Sequence, residues 1–470
     1  MPNLSLPKTT VFTTLPREWP DDLLPTIQAQ VAASGRKIVV LDDDPTGTQT
    51  VYDVPVLTEW SVELLRAELL NDGPVFYILT NSRSMALPAA QRLNQAIGHN
   101  LRLAGAQSGR DFVVVSRSDS TLRGHYPGET DALAAALTTD FDATLLMPFF
   151  LEGGRYTLDD VHYVAEGEQL VPAAATPFAR DAVFGYQHSN LREWVAEKTH
   201  GRIPAAAVVA ISIDDIRRGG PAQVAQKLQT LTNGTVCIVN AASMRDVQVF
   251  VAGLLQAEVQ GKKFLYRTAA SFVQMRAGLT TRPLLTHDEL NLPHAGGGLV
   301  VVGSYVPKTT GQLTELLAQP EIVTVEINVG ALLVDYSQDA EIQRVAQAVD
   351  QALQQNQDVV VYTSRDLVTG KDADDSLVIG QRVSNSVVAI VQAIKTRPRY
   401  VLAKGGITSS DVATQGLGVR RAVVLGQILP GVPVWRIGAE SLHPDLAYIV
   451  FPGNVGDAQA LVQVVAALKQ

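Results

Sequence analysis

Short apolar runs, rich in Val, Ile and Leu and free of polar alternation, recur along the chain with amphipathic stretches between them. Such runs read as strands buried on both faces of a parallel sheet. The pattern predicts strands at Lys37–Leu41, Val54–Leu57, Val75–Leu79, Phe112–Val115, Ala143–Met147, Ala207–Ile211, Thr235–Val239 and Phe264–Arg267. A second series follows at Leu299–Val302, Val323–Ile327, Asp358–Tyr362, Tyr400–Ala403, Ala422–Gly426, Val434–Ile437 and Tyr448–Phe451. Helices are predicted over Asp21–Ser34, Ser61–Leu70, Leu87–Leu103, Gly311–Leu317, Ala340–Gln354 and Gln381–Lys395, with a last one running to Leu468. Strands alternating with helices predict an α/β protein built as two three-layer α/β domains with largely parallel sheets.

The punctuation between runs suggests the boundaries. Pro2, Pro7, Pro16 and Pro20 prevent a long helix, so 1–36 reads as an N-terminal extension. Residues 37–287 form the first domain, and 299–470 the second. Between them 288–298, with its Pro and Gly296-Gly297-Gly298, is the expected linker and hinge. Residues 160–180 show no clear periodicity and read as a long functional loop. His162 within it stands alone, and a lone His is more often structural than a general base. Ser189 is the expected cap of the helix that follows.

Composition narrows the function. At 470 residues the chain is too long for one core. A hydrophobic content of 46% and a charged content of 18% are ordinary for an α/β protein. The formal net charge of -9 argues against a general nucleic-acid surface, although a phosphorylated small molecule needs only local positive charge. Cys237 has no second cysteine to pair with, which leaves a buried structural thiol. No signal-peptide pattern opens the chain and no apolar run approaches the ~20 residues of a membrane span, so no membrane partner and a cytoplasmic location are expected.

The chemistry gathers where strands end, which is where open α/β sheets bind ligands. The first strand runs into Asp42-Asp43-Asp44-Pro45-Thr46-Gly47-Thr48, an acidic cluster followed by a forced turn. The third predicted strand ends in Thr80-Asn81-Ser82-Arg83-Ser84, the fourth in Ser118-Asp119-Ser120-Thr121-Leu122-Arg123-Gly124. Carboxylates, hydroxyls and guanidinium groups together suit a small polyhydroxylated carboxylic acid. In the second half Lys404-Gly405-Gly406-Ile407-Thr408-Ser409 is a strand-to-helix turn through which backbone N–H groups could approach a phosphate. It has neither Walker nor dinucleotide spacing. Gly303-Ser304 and Gly453-Asn454 end other strands of the same unit.

These stretches, in this order from about residue 38 to 465, resemble the four-carbon acid sugar kinase family. Pro45 stands where an apolar residue is usual in that family. The resemblance implies an acid-sugar-binding domain over 37–287, an ATP-binding domain over 299–470, and an active site in the cleft between them. It implies ATP-dependent phosphorylation of the terminal hydroxyl of threonate, erythronate or a 3-oxo-tetronate. Carried over by position, Asp43, Arg83, Ser118, Asp119, Ser120, Thr121 and Arg123 would hold the acid sugar. Asp43 or Asp44 would act on the hydroxyl, with Asp119 the alternative base. Ser304, Lys404, Gly405, Gly406, Ile407, Thr408 and Gly453 would hold ATP. Mg²⁺ is expected to bridge the phosphates, with its protein ligands open, and a homodimer is admitted. The rival readings are a catalytically inactive nucleotide- or sugar-acid-binding regulator, and a dehydrogenase that would lack the dinucleotide fingerprint.

Overall fold

A computed structural model describes residues 5–44, 46–365, 368 and 373–469, so Pro2 and Pro45 lie outside the described residues. The chain divides into two compact units: Met1–Thr50 with Glu59–Thr281, and Val51–Thr58 with Arg282–Gln470.

The first unit is built on a parallel sheet. Its strand order is Val209–Ile211, Thr235–Val239, Ala143–Met147, Phe264–Thr268, Phe112–Arg117, Lys37–Asp42 and Val75–Leu79. Ile38, Val39 and Val40 are fully buried, as an uninterrupted apolar strand requires. The register sets Leu79, Asp42, Arg117, Thr268 and Met147 side by side at the carboxyl edge. From Lys37–Asp42 the chain moves to the strand on one side, Val75–Leu79, then crosses back to Phe112–Arg117 on the other. That reversal is a topological switch point, where the loops part and leave a crevice.

The region read as a long loop is instead a small antiparallel sheet of Arg155–Leu158, Val161–Glu166 and Gln169–Pro172. Its tight hairpin turns through Asp159 and Asp160, both left-handed at φ 48° and 66°. Such turns usually advertise themselves with Asn-Gly or Asp-Gly, and this one does not. Asp160 is held there by Arg192 (Nε to Oδ2, 2.6 Å) and Asn240 (Nδ2 to Oδ1, 2.8 Å). The N-terminal stretch is not a separate extension. Leu6–Pro7 pairs with Gln169 and Leu170, and the helix Leu24–Ser34 buries Ile27 and Val31 in the first unit. Ser189 does not cap the helix Leu191–Lys198. Asn190 does, accepting from the Arg192 and Glu193 amides, while Ser189 Oγ accepts from the Ala174 amide at 2.9 Å. Cys237 is fully buried, and burial pushes its thiol up to about 12.

The second unit repeats the plan. Val323–Ile327, Val359–Thr363, Leu299–Val302, Tyr400–Lys404 and Ala447–Phe451 run parallel in that order. Val432–Ile437, Arg421–Leu429 and Val54–Leu57 then continue the sheet antiparallel. Its switch point falls at Leu299–Val302, flanked by the later strands Val359–Thr363 and Tyr400–Lys404. The stretch 288–298 opens with the last residues of the short helix His287–Leu290, and Leu290 and Leu292 are buried in the core of this unit with Val300, Leu402 and Ile449.

Candidate active site

In the first unit the three strand ends meet as one charged network. Asp42, the last residue of its strand, is 1% exposed and accepts from Arg117 Nη1 at 3.1 Å. Burial pushes its carboxyl up to about 7, even with Arg117 beside it. A Cβ on Gly47 would overlap that carboxylate, so the glycine lets the turn close directly over Asp42. The Asp42 Oδ2 is also buried without a partner, but it lies directly under Gly47, so Asp42 is sealed into the structure rather than offered to a ligand.

Asp43 is different. Its Oδ2 accepts from Ser118 Oγ at 2.5 Å, while its Oδ1 is buried without a partner. Gly124, at φ 128°, passes so close that a Cβ would lie 2.8 Å from Ser118 Oγ and 3.0 Å from Asp43 Oδ2. Asp44 is spent on Arg83 and on the amide and hydroxyl of Thr46. Asp119 accepts from Arg123 Nε at 2.6 Å and from Thr121, with Arg83 Nη1 at 3.6 Å. Burial works against the Asp119 charge. The Arg83 and Arg123 guanidinium groups and the Thr121 and Arg123 hydrogen bonds outweigh it and hold the carboxyl far below the usual range. Ser120 contributes its carbonyl, which accepts from His162 Nε2 at 2.7 Å. His162 in turn accepts at Nδ1 from Thr157 Oγ1, 3.0 Å away. Burial drives its pKa down to about 4, so this His is a neutral brace for the loop and not a base.

Sequence reasoning missed the layer beneath. Arg267 reaches Ser116 Oγ (2.8 Å) and Glu129 (2.9 Å), Glu129 accepts from Ser82, and Thr80 Oγ1 donates to the Asp42 carbonyl at 2.8 Å. The signal available was polar residues at the ends of otherwise apolar strands. A cavity of about 480 Å³ lies at the opposite, amino edge of this sheet, among Arg102, Arg110, Lys263, Phe112, Phe141 and Phe264. It is larger but away from the switch-point crevice, where parallel sheets place their chemistry.

The second unit brings its predicted residues together with far less charge. The Gly405 amide donates to the Phe451 carbonyl at 2.8 Å. Gly405 lies at φ 114°, with Ser304 so near that a Cβ would fall 2.9 Å from its own Cβ. A Cβ on Gly303 would come within 2.5 Å of Thr408 Oγ1. By contrast a Cβ on Gly406 would meet nothing within 4 Å, and on Gly453 nothing nearer than 3.9 Å. Ile407 is 60% exposed beside them. Lys404 is fully buried, donates to the Pro452 carbonyl at 2.6 Å and stands 4.0 Å from the centre of the Phe451 ring. Burial, with Lys308 adding to it, lowers its pKa to about 7. Lys404 therefore ties two strand ends together beneath the glycines. The more accessible cations, which the sequence reading passed over, are Arg365 (Nη1 to the Ser304 carbonyl, 3.0 Å) and Lys308 (Nζ to the Asn454 carbonyl, 3.3 Å).

Residues 38–276 match a family model described as a sugar-binding N-terminal domain, and 299–461 one described as a nucleotide-binding C-terminal domain. The chain belongs to the four-carbon acid sugar kinase family. By class it is a sugar acid kinase. Among its relatives, a 3-oxo-tetronate kinase of Cupriavidus necator is 28% identical over 367 residues, covering 75% of this chain and 78% of that one. A D-erythronate kinase of Heliobacterium modesticaldum is 26% identical over 451 residues, covering 90% and 95%. The crystal structure of a Haemophilus influenzae protein has the same fold, with a TM-score of 0.63 at 18% identity over 92% of this chain and 100% of that one.

Proposed function

We propose that this family member transfers phosphate from ATP to the terminal hydroxyl of a four-carbon sugar acid of the threonate, erythronate or 3-oxo-tetronate type. One observation carries the reading: Asp43, in the switch-point crevice, keeps one carboxylate oxygen tied to Ser118 and the other buried and unpartnered. A substrate hydroxyl would satisfy that oxygen, and the same contact orients and deprotonates it. Asp44 and Asp119 are both engaged by arginine, and Asp119 is too strongly stabilised as an anion to be the base. Ser118, Ser120 and Thr121 belong to the loop at the same strand ends and would hold the acid's hydroxyls, with Arg83 and Arg123 fixing Asp44 and Asp119 beside them.

Phosphoryl transfer asks the protein chiefly for positioning and charge neutralisation. For the nucleotide, the open space over Gly406 and Gly453 would admit phosphate oxygens to the backbone, with Ser304 and Thr408 close to the neighbouring glycines and Ile407 exposed next in the chain. Arg365 and Lys308 would supply positive charge. Among the described residues no group of three or more His, Cys, Asp or Glu side chains could hold a metal ion. Mg²⁺, bound with the nucleotide, would supply neutralisation of phosphate charge.

The test is ATP consumption by the purified protein with Mg²⁺ against D- and L-threonate, D- and L-erythronate and their 3-oxo forms. Turnover of one acid, with phosphate located on its terminal hydroxyl, is the expected result. ATP binding without turnover of any four-carbon acid would refute the substrate class, and absence of ATP binding would refute the kinase itself.

A further inference from the structure

The arginines of the first-unit crevice are not equivalent. Arg83 is held by Asp44 and Asp119, Arg123 by Asp119 and by Asp181 at 3.7 Å, Arg117 by Asp42, and Arg267 by Glu129. Arg155 has no such partner. Its side chain makes no hydrogen bond or ion pair among the described residues, and its Nε is buried and unsatisfied. The acid that acts on its charge is Asp119, which Arg83 and Arg123 already share.

We infer that Arg155 grips the carboxylate of the sugar acid, while Arg83 and Arg123 serve to fix the acidic side chains of the site. This rests on the reading of the first unit as the acid-sugar site. The backbone of Arg155 is pinned by two bonds with Phe150, Phe150 N to Arg155 O at 3.1 Å and Arg155 N to Phe150 O at 2.8 Å. Its guanidinium lies 5.6 Å from the centre of the Phe178 ring, and the Arg123 guanidinium lies 5.2 Å from the same centre. One aromatic ring thus sets both arginines in place, one paired and one open. A Cβ on Gly153 would overlap the Phe150 ring and lie 3.3 Å from Arg155 Nη1, so the glycine makes room chiefly for Phe150 and also for the guanidinium. A desolvated guanidinium without a counter-charge is costly, and a bound carboxylate, accepting two parallel N–H bonds, supplies what is missing. Recruiting Arg83 instead would require breaking its contact with Asp44.

The experiment compares kcat/KM for the sugar acid with kcat/KM for its primary amide, which keeps every hydroxyl and loses only the charge. Wild type, Arg155→Gln, Arg155→Lys and Arg83→Gln are measured, with thermal unfolding as the folding control. Arg155→Gln is expected to lower kcat/KM for the acid by about tenfold or more, mainly through KM, and to leave the amide nearly unchanged. Arg155→Lys, which keeps the charge but not the fork, is expected to fall between. Equal losses on acid and amide would make Arg155 structural and overturn the inference. So would discrimination that survives Arg155→Gln and collapses in Arg83→Gln. Failure of the underlying reading shows separately, as wild-type protein that phosphorylates no four-carbon acid.

Discussion

The two units place their chemistry at the same point of the same plan, the carboxyl edge of a parallel sheet where the strand order reverses, and equip it in opposite ways. The first crevice is made of side chains: Asp42, Asp43, Asp44 and Asp119 against Arg83, Arg117 and Arg123, nearly all mutually engaged. The second is made of backbone: glycines at 303, 405, 406 and 453, with its lysine buried beneath them. A small ligand with several hydroxyls is recognised by fixed donors and acceptors, which must be locked by their neighbours to be selective. A phosphate asks for N–H groups that can be approached closely, which a side chain would obstruct. The comparison teaches that one topology supports both modes, and that substitutions should affect them separately.

The largest expected effect tests the side-chain half. Asp43→Asn keeps the Ser118 contact but cannot take a proton, and should lower kcat about a thousandfold while leaving the KM for ATP in place. Steady-state kinetics in both substrates reads this, and a loss of only a few-fold would move the base elsewhere.

Next comes the brace. Burial lowers the pKa of folded His162 to about 4, whereas an ordinary histidine, as in the unfolded chain, takes its proton near 6.5. Its contribution to stability is complete above pH 6.5 and is lost as the pH falls through that window. The full difference corresponds to about 3 kcal/mol. His162→Gln, neutral throughout, should flatten the dependence of urea-unfolding stability between pH 7 and 4.5. An unchanged slope would show that His162 is not the group responsible.

The smallest effect tests the backbone half. Gly406→Val puts a side chain into the open space over the glycine turn without the strain of a left-handed backbone. It should raise the KM for ATP about tenfold, the cost of one charged backbone hydrogen bond, and leave the KM for the acid alone.

How far the sequence carried differs between the two halves for the same physical reason. Strands such as Val54–Leu57, Val75–Leu79 and Ala143–Met147 were readable to the residue, because an uninterrupted apolar run bounded by polar turns has few alternatives. The hairpin around Asp159-Asp160 was not, because its left-handed turn is stabilised by Arg192 and Asn240, distant in sequence, instead of by a local glycine. The acidic and basic loops pointed to the first crevice as a candidate, since carboxylates and guanidinium groups carry their chemistry in their identity. What no sequence shows is which of them are already spent on one another. That distinction sets Asp43 apart from Asp44 and Asp119, and Arg155 apart from Arg83. Lys404 shows the reverse: a lysine beside two glycines reads as a phosphate ligand, yet its ammonium is committed to the Pro452 carbonyl.

The most direct measurement is a pair of calorimetric titrations on wild type, Asp43→Asn and Gly406→Val, one with a non-hydrolysable ATP analogue and Mg²⁺, the other with the acid identified by the turnover screen. Gly406→Val is expected to weaken binding of the nucleotide and not of the acid, and Asp43→Asn to leave nucleotide binding unchanged. Loss of nucleotide binding in Asp43→Asn, or full nucleotide affinity in Gly406→Val, would contradict the division of labour between the two crevices.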